Sequence, residues 1–200
     1  MPLAPGGVQR EVSSARRRLL DAAVDAFAER GFGGTSTRDV AVRAGRSTAA
    51  VYVHYESKEA LLYAISLEGH MDALDCLRCA YASSEEPAAR VHGMVLAFSD
   101  WHMENAKLAR VVQYELHALS EEHRADIVSR RRRFQRLMVG ALRDGVRAGQ
   151  FNVEDVNGTA RALLSLCIDL VRWFDPARGG DPWAIAQLNA DLALRMVGEV

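Results

Sequence analysis

The sequence has few of the residues that build disulfide frameworks, membrane spans and catalytic centres. Its 200 residues include only three cysteines, too few for the disulfide framework of a small secreted domain, so we expect a reducing cytoplasm. No run of about 18 apolar residues occurs, and no membrane span is expected. A phosphate-binding glycine loop, a His-Glu-x-x-His motif and a Gly-x-Ser-x-Gly motif are all missing. We therefore expect neither catalysis nor a bound metal or cofactor.

Charge and composition are those of an ordinary globular protein. The chain is 49% hydrophobic and 26% charged, with a formal net charge of −1. Residues 1–62 carry a net charge of +2, and the remainder carries −3. This asymmetry is small, so any argument for a nucleic-acid partner depends on where individual basic groups lie.

The stretch 35–62 has the pattern of two short helices joined by a tight turn. Ser36 can cap the first helix, and the acidic residue three positions later completes a capping-box pattern. Gly45 stands at the turn, where a positive φ favours glycine. Ser47 or Thr48 can cap the second helix. The inward-facing apolar positions are Val40, Ala41, Ala44 and Val51. This pattern predicts a DNA-binding helix-turn-helix.

The end of this stretch reads Tyr-x-His-aromatic-x-Ser-Lys-Glu-x-Leu. Residues 14–65 thereby resemble the N-terminal domain of the TetR family of bacterial transcriptional regulators. The motif residues are Tyr52, His54, Tyr55, Ser57, Lys58, Glu59 and Leu61.

The rest of the chain shows helical spacing and no strand pattern, so we predict an all-α fold. The resemblance implies an N-terminal three-helix DNA-binding domain, a C-terminal helical ligand-binding and dimerisation domain, and about nine helices. We predict a flexible arm over 1–12, the DNA-binding domain over 13–62, and the ligand-binding and dimerisation domain over 63–200.

Candidate DNA contacts follow from residue types and from the resemblance. Short side chains at the start of the second helix, Ser47, Thr48 and Ala49, let the backbone approach base edges. The other candidates, which suit phosphate or the groove edge, are Thr37, Arg38, Tyr52, His54, Tyr55 and Lys58. Arg46, Ala49 and Val53 depart from the usual family residues at their positions, so the operator sequence stays open.

The C-terminal part supplies candidates for an effector site and a dimer interface. The segment Val171–Pro176, followed by Gly179-Gly180, resembles TetR-family repressors of lipid and steroid catabolism that respond to acyl-coenzyme A esters. This implies a large apolar effector, and Arg130–Arg133 are candidates for its polyanionic head group. Helix 8 (about 154–174) and helix 9 (from Pro182) are rich in apolar residues and are predicted to form a homodimer interface. Candidate cavity residues are Trp101, Tyr114, Phe134, Met138 and Trp173.

Two alternative regulators remain open at this point. Cys76 and Cys79 form a Cys-x-x-Cys pair, which is compatible with a thiol-redox sensor. A TetR-type regulator of efflux that responds to hydrophobic drugs is the second alternative. In either case the partners are a palindromic double-stranded operator and a second copy of the chain.

Overall fold

The computed structural model describes residues 5–175, 177 and 179–198, and these residues form helices without a strand. The all-α prediction is confirmed. One short 3₁₀ helix, Leu116–Ala118, connects two of the longer helices. The α-helices are α1 (Pro5–Arg30), α2 (Thr37–Arg43), α3 (Thr48–His54), α4 (Lys58–Ala82), α5 (Pro87–Glu104), α6 (Ala106–Tyr114), α7 (Glu121–Arg147), α8 (Val156–Ile168), α9 (Leu170–Trp173) and α10 (Pro182–Met196).

Two helix boundaries differ from the sequence prediction. Helix α1 begins at Pro5, within the arm predicted over 1–12. Residues 1–4 of the predicted arm lie outside the described residues. The predicted eighth helix is divided into α8 and α9, since the chain tightens at Asp169: the Arg172 N–H donates to the Asp169 carbonyl, three residues back, at 3.0 Å.

The eighth helix is also less apolar on its outer side than predicted. In α8 the side chains of Leu163, Leu164 and Cys167 are buried, whereas Arg161 and Ser165 are exposed. The helix is therefore amphipathic, with an apolar side that packs in the core and an outer side that carries polar groups.

The helix-turn-helix forms as the local signals predicted. The Ser36 hydroxyl accepts from the Asp39 N–H at 3.1 Å, and the Asp39 carboxylate accepts from the Ser36 N–H at 2.8 Å. Gly45 has φ +64°, and Ser47 caps α3 by accepting from the Ala50 N–H at 3.3 Å. These caps satisfy N–H groups that helix ends leave unpaired.

The chain forms two compact units. The first consists of residues up to Glu68 together with Arg110–Arg124. Within it, the Glu115 carboxylate accepts from the Phe32 N–H at 3.1 Å, and the Glu59 carboxylate contacts His123 Nδ1 at 2.8 Å. Because these partners are 83 and 64 positions apart, no local sequence pattern indicates that Arg110–Arg124 belongs with the first unit.

The second unit consists of Gly69–Ala109 and the chain from Ala125 onward. Apolar residues of α4, α5, α7, α8 and α10 form its main core. Around Asp144 of α7, a polar cluster joins three helices: Arg90 of α5 donates to its carboxylate at 2.8 Å and Tyr81 of α4 at 3.2 Å. The members of this unit are fixed to one another by apolar packing and by long-range polar contacts.

Candidate nucleic-acid interface

Helix α3 has one buried anchor and an outer face open to solvent. Val51 is fully buried, which fixes the rotation of the helix about its axis. Tyr52 and Val53 are 53% and 79% exposed, and Ser47 and Ala49 are exposed as well. A short helix with small or aromatic side chains exposed on its outer face fits into a DNA major groove.

Two hydroxyl groups predicted to contact DNA lie together in the structure. The Tyr52 hydroxyl of α3 is 3.2 Å from Thr37 Oγ1, at the first position of α2. Both groups can donate to a phosphate oxygen. Arg38, next to Thr37, is exposed. The structure therefore brings Thr37, Arg38 and Tyr52 into one surface region.

Thr48 and His54, at the two ends of α3, are half-buried. Thr48 is the first residue of the helix and follows its cap. His54 is the last residue, where a basic side chain complements the negative end of a helix. Both positions leave part of the side chain open to solvent.

Tyr55 and Lys58 are engaged inside the fold. Tyr55 is 8% exposed, and its hydroxyl accepts from Arg16 Nε at 3.1 Å. Burial raises the pKa of the Tyr55 hydroxyl, although the Arg16 hydrogen bond opposes that shift. The Lys58 ammonium donates to the carbonyls of Phe32 and Thr35 at 2.7 and 2.8 Å. Through these contacts, the side chains of Tyr55 and Lys58 stabilise the fold of the first unit.

Arg16 links three helices of the first unit. Besides the bond to Tyr55, its guanidinium donates to the Glu68 carboxylate of α4 at 3.0 Å. The Tyr55 hydrogen bond and charge interaction are the main reasons that the pKa of Arg16 is raised. Arg16 therefore positions the end of α3 against α1 and α4.

Val53 is a surface residue that the sequence prediction left out of the contact set. It lies four positions after Ala49, so both side chains share one helix face. An exposed Val on a recognition helix can contact the methyl group of thymine. The sequence already indicates this position, because Val53 lies on the side of the helix opposite the inward-facing Val51.

The five residues predicted to line the effector cavity do not all lie together. Phe134 and Met138 are buried in the main core of the second unit, and Trp101 packs against that core. Tyr114 belongs to the first unit and is 49% exposed. Trp173 is 57% exposed. The structure thus brings three of the five residues together. Pro176, from the segment that resembles acyl-coenzyme A-responsive repressors, lies outside the described residues.

The three cysteines are free. The Cys76 S–H donates to the Ala97 carbonyl at 3.4 Å, and burial raises the pKa of this thiol to about 11. A thiol with a raised pKa forms little of the reactive thiolate at neutral pH. This speaks against Cys76 as the reactive member of a redox pair.

The part of the chain that the structure describes contains neither a cluster of metal ligands nor a membrane-spanning helix. No group of three or more His, Cys, Asp or Glu side chains there has a metal-binding arrangement. None of its helices combines the length and apolar character that crossing a bilayer requires.

Comparison with known families gives two matches that together span most of the chain. Residues 19–65 match the family model "Bacterial regulatory proteins, tetR family". Residues 84–197 match "Tetracyclin repressor-like, C-terminal domain".

Individual relatives agree with these matches. The HTH-type transcriptional repressor KstR2 of Rhodococcus jostii (strain RHA1) is 31% identical over 167 residues, which cover 82% of this chain and 81% of that protein. A crystal structure of a tetR-family regulatory protein from Rhodococcus RHA1 is 42% identical, with a TM-score of 0.88 over 93% of this chain and 98% of the other. AibR in complex with isovaleryl coenzyme A and operator DNA has the same fold, with a TM-score of 0.83 and 21% identity over 93% of this chain and all of the other.

Proposed function

The chain belongs to the tetR family of bacterial regulatory proteins, and we propose that it is a homodimeric repressor released from its operator by a large apolar effector. Proteins of this family are DNA-binding regulators of transcription rather than enzymes. Beyond the family assignment, we propose an operator, a dimer interface and a class of effector.

The observation that carries the proposal is the exposed outer face of α3. Ser47, Ala49 and Val53 are exposed, while Val51 holds the helix in position from the buried side. We propose that these three exposed residues contact base edges. Thr37 and Tyr52 supply a pair of hydroxyl groups for a backbone phosphate. Base contacts of this kind select the sequence, and phosphate contacts set the register of the helix on the duplex.

A dimer is proposed because one recognition helix reads only a few base pairs. Two copies related by a twofold axis read half-sites about 34–36 Å apart. The C-terminal helices offer the surface for this, as the sequence predicted for its helices 8 and 9. Large apolar side chains are exposed there in the single chain: Trp173, Trp183, Leu188 and Met196. A second copy covering them removes this apolar area from water.

The effector class is proposed from two observations. The KstR2 relative is a repressor, and AibR, which has the same fold, is known in complex with isovaleryl coenzyme A. The segment Val171–Pro176, which resembles acyl-coenzyme A-responsive repressors, contains Trp173, whose side chain is exposed. We therefore propose an acyl-coenzyme A ester as effector, with a hydrophobic drug as the alternative for an efflux regulator.

The proposed mechanism is a shift between two populations. Helix α4 begins in the first unit and ends in the second, so it is the element through which effector binding acts on the spacing of the two recognition helices. A shift from 1:99 to 99:1 between the DNA-binding conformation and the released conformation requires about 5.5 kcal/mol of differential effector affinity. Burial of a long apolar chain provides free energy of that size, at about 0.8 kcal/mol per buried CH₂.

The proposal is tested by fluorescence anisotropy on DNA from upstream of the protein's own gene. Protein is titrated at fixed salt, with and without oleoyl-coenzyme A, and a duplex of shuffled sequence serves as control. Tight binding that the ester releases supports repressor and effector together. Tight binding indifferent to the ester removes this effector class.

A further inference from the structure

The recognition helix α3 ends at Tyr55, which is held by both its backbone and its side chain. The Tyr55 N–H donates to the Val51 carbonyl at 2.9 Å and closes the helix. The side chain is 8% exposed, and its hydroxyl accepts from Arg16 Nε at 3.1 Å. Because Tyr55 is hydrogen-bonded to the last turn of α3, a displacement of Tyr55 also moves this end of the helix.

Arg16 of α1 joins Tyr55 to helix α4. Its Nε donates to the Tyr55 hydroxyl, and its Nη2 donates to Glu68 Oε1 at 3.0 Å. A guanidinium is planar and its N–H groups have fixed directions, so the two acceptors are held in a set relation to each other. We call these three side chains, which connect α4 through α1 to α3, the Tyr55–Arg16–Glu68 bridge.

Glu68 is the residue of α4 at which the first unit ends. The side chains of Arg16 and Glu68 are 53% and 37% exposed, so their ion pair is open to solvent and contributes little to the free energy of folding. Arg17 lies 3.9 Å from the same carboxylate, but its Nε donates to Asp21 at 2.9 Å. Loss of the Arg16–Glu68 pair is therefore expected to change the position of the linked groups more than the stability of the fold.

We propose that Arg16 is a positioning residue for DNA binding, which transmits the position of α4 at Glu68 to the end of the recognition helix at Tyr55. This inference rests on the proposed function, in which effector binding acts through α4, and names the contact by which α4 acts on α3. A displacement of the Glu68 carboxylate turns or releases the guanidinium, and the Tyr55 hydroxyl then loses the donor that holds it. Arg16 acts on α3 and does not itself contact a DNA phosphate.

The first measurement is amide hydrogen exchange of the full-length protein without DNA, read by mass spectrometry on peptides that cover α2 and α3 separately. Arg16→Gln and Tyr55→Phe each remove the hydrogen bond between the two side chains. Exchange over residues 48–55 is expected to be about fivefold faster in both variants. Exchange over Thr37–Arg43 is expected to stay unchanged, and the melting temperature to fall by no more than about 4 °C.

Glu68→Ala tests transmission, because Glu68 lies on α4 and reaches the Tyr55 hydroxyl through Arg16. Exchange over residues 48–55 is expected to be about two- to fivefold faster in this variant. Added to Arg16→Gln, the same substitution is expected to have no further effect, since both variants interrupt one chain of contacts. Arg18→Gln is the matched control: it removes an exposed positive charge from the same helix and is expected to leave exchange in α3 unchanged.

DNA binding separates a positioning residue from a phosphate contact. The probe is the duplex from upstream of the protein's own gene, titrated by anisotropy at several salt concentrations. Arg16→Gln is expected to weaken binding about fivefold with the salt dependence unchanged, whereas loss of a phosphate contact lowers the salt slope by about one. Arg16→Lys keeps the charge but lacks the planar fork that serves both acceptors, so it is expected to weaken binding about as much. A lysine variant with the original affinity would assign Arg16 to a phosphate.

Three exchange results would also overturn the assignment: unchanged exchange of α3 in Arg16→Gln, equal acceleration over α2 and α3, and additive effects of Arg16→Gln and Glu68→Ala. If Arg16→Gln does not fold, judged by circular dichroism, Tyr55→Phe takes its place in the combination with Glu68→Ala. The exchange measurements need no DNA. A protein that binds no operator would therefore contradict the proposed function, while the Tyr55–Arg16–Glu68 bridge is still confirmed or overturned.

Discussion

The helix-turn-helix and the second unit depend on polar contacts of different range. In the helix-turn-helix, polar groups close helix ends over three residues, as Ser36 does with Asp39 and Ser47 with Ala50. In the second unit, polar contacts also join residues far apart in sequence: Arg131 and His70 by 61 positions, and Arg90 and Asp144 by 54. The surface of the candidate DNA contacts is therefore set by local signals, whereas the second unit is assembled by contacts of the tertiary fold.

The largest expected effect tests whether the second unit depends on close packing. At Gly145 an added Cβ would lie 2.0 Å from the Phe151 ring, which is buried. We expect Gly145→Ala to destabilise the protein by about 2–4 kcal/mol, because the ring must move and the core repack. Urea unfolding measures this.

Gly140 on the same helix supplies the control for that substitution. An added Cβ there would meet Tyr81 at 3.8 Å, an ordinary contact. Gly140→Ala is expected to stabilise the protein by up to about 1 kcal/mol through helix propensity. Equal effects at the two glycines would show that the Phe151 contact does not restrict α7.

The next effect tests whether Lys58 belongs to the fold of the first unit or to the DNA surface. Lys58→Met keeps an unbranched apolar side chain but removes the ammonium, which lies 4.1 Å from the centroid of the Phe32 ring and donates to the Phe32 and Thr35 carbonyls. We expect a loss of about 2 kcal/mol of stability by thermal unfolding. The salt dependence of DNA binding is expected to stay the same. A salt slope lower by about one charge would instead assign Lys58 to a phosphate.

A smaller effect distinguishes phosphate contact from base contact on α3. Tyr52→Phe removes only the hydroxyl that lies beside Thr37. DNA affinity is expected to fall about fivefold on all sequences alike, which corresponds to about 1 kcal/mol.

Val53→Ala is the counterpart of that variant. It is expected to change affinity only for operators with thymine at the contacted position. Anisotropy titrations on matched operators measure both variants. A sequence-dependent loss in Tyr52→Phe would contradict its role as a phosphate contact.

The smallest effect concerns the acid stability of the second unit. The Arg147 hydrogen bond, with further contributions from Tyr81 and Arg90, lowers the pKa of Asp144. A lowered pKa favours the ionised carboxylate in the folded state, so this stabilisation is present above the ordinary pKa of about 3.9 and is lost as pH falls through the folded-state value.

Asp144→Asn tests that prediction. The variant is expected to be less stable than the original protein at pH 7, with the difference narrowing below about pH 4. Urea unfolding at both pH values measures it. A difference that stays constant with pH would mean that the Asp144 charge contributes nothing.

The features that could be predicted from the sequence are those held by contacts between residues close together in the chain. The caps at Ser36 and Ser47 and the turn at Gly45 act over a few residues, so the helix-turn-helix was predictable. Tyr55 matches the family motif in sequence, yet only the fold shows that Arg16, 39 positions away, donates a hydrogen bond to its hydroxyl. Arg131 lies in a run of four arginines that covers every side of a helix, and its hydrogen bond to His70, 61 positions away, is seen only in the fold.

The most direct test of the DNA-binding account is selection of bound sequences from a random duplex library, with full-length protein at fixed salt. We predict an enriched palindrome with half-sites about one helical turn, 34–36 Å, apart. The Val53→Ala variant is expected to relax selection at a thymine in each half-site, and Tyr52→Phe to leave the selected sequence unchanged. Failure to enrich any sequence over the starting library would contradict the account, because the outer face of α3 would then read no base.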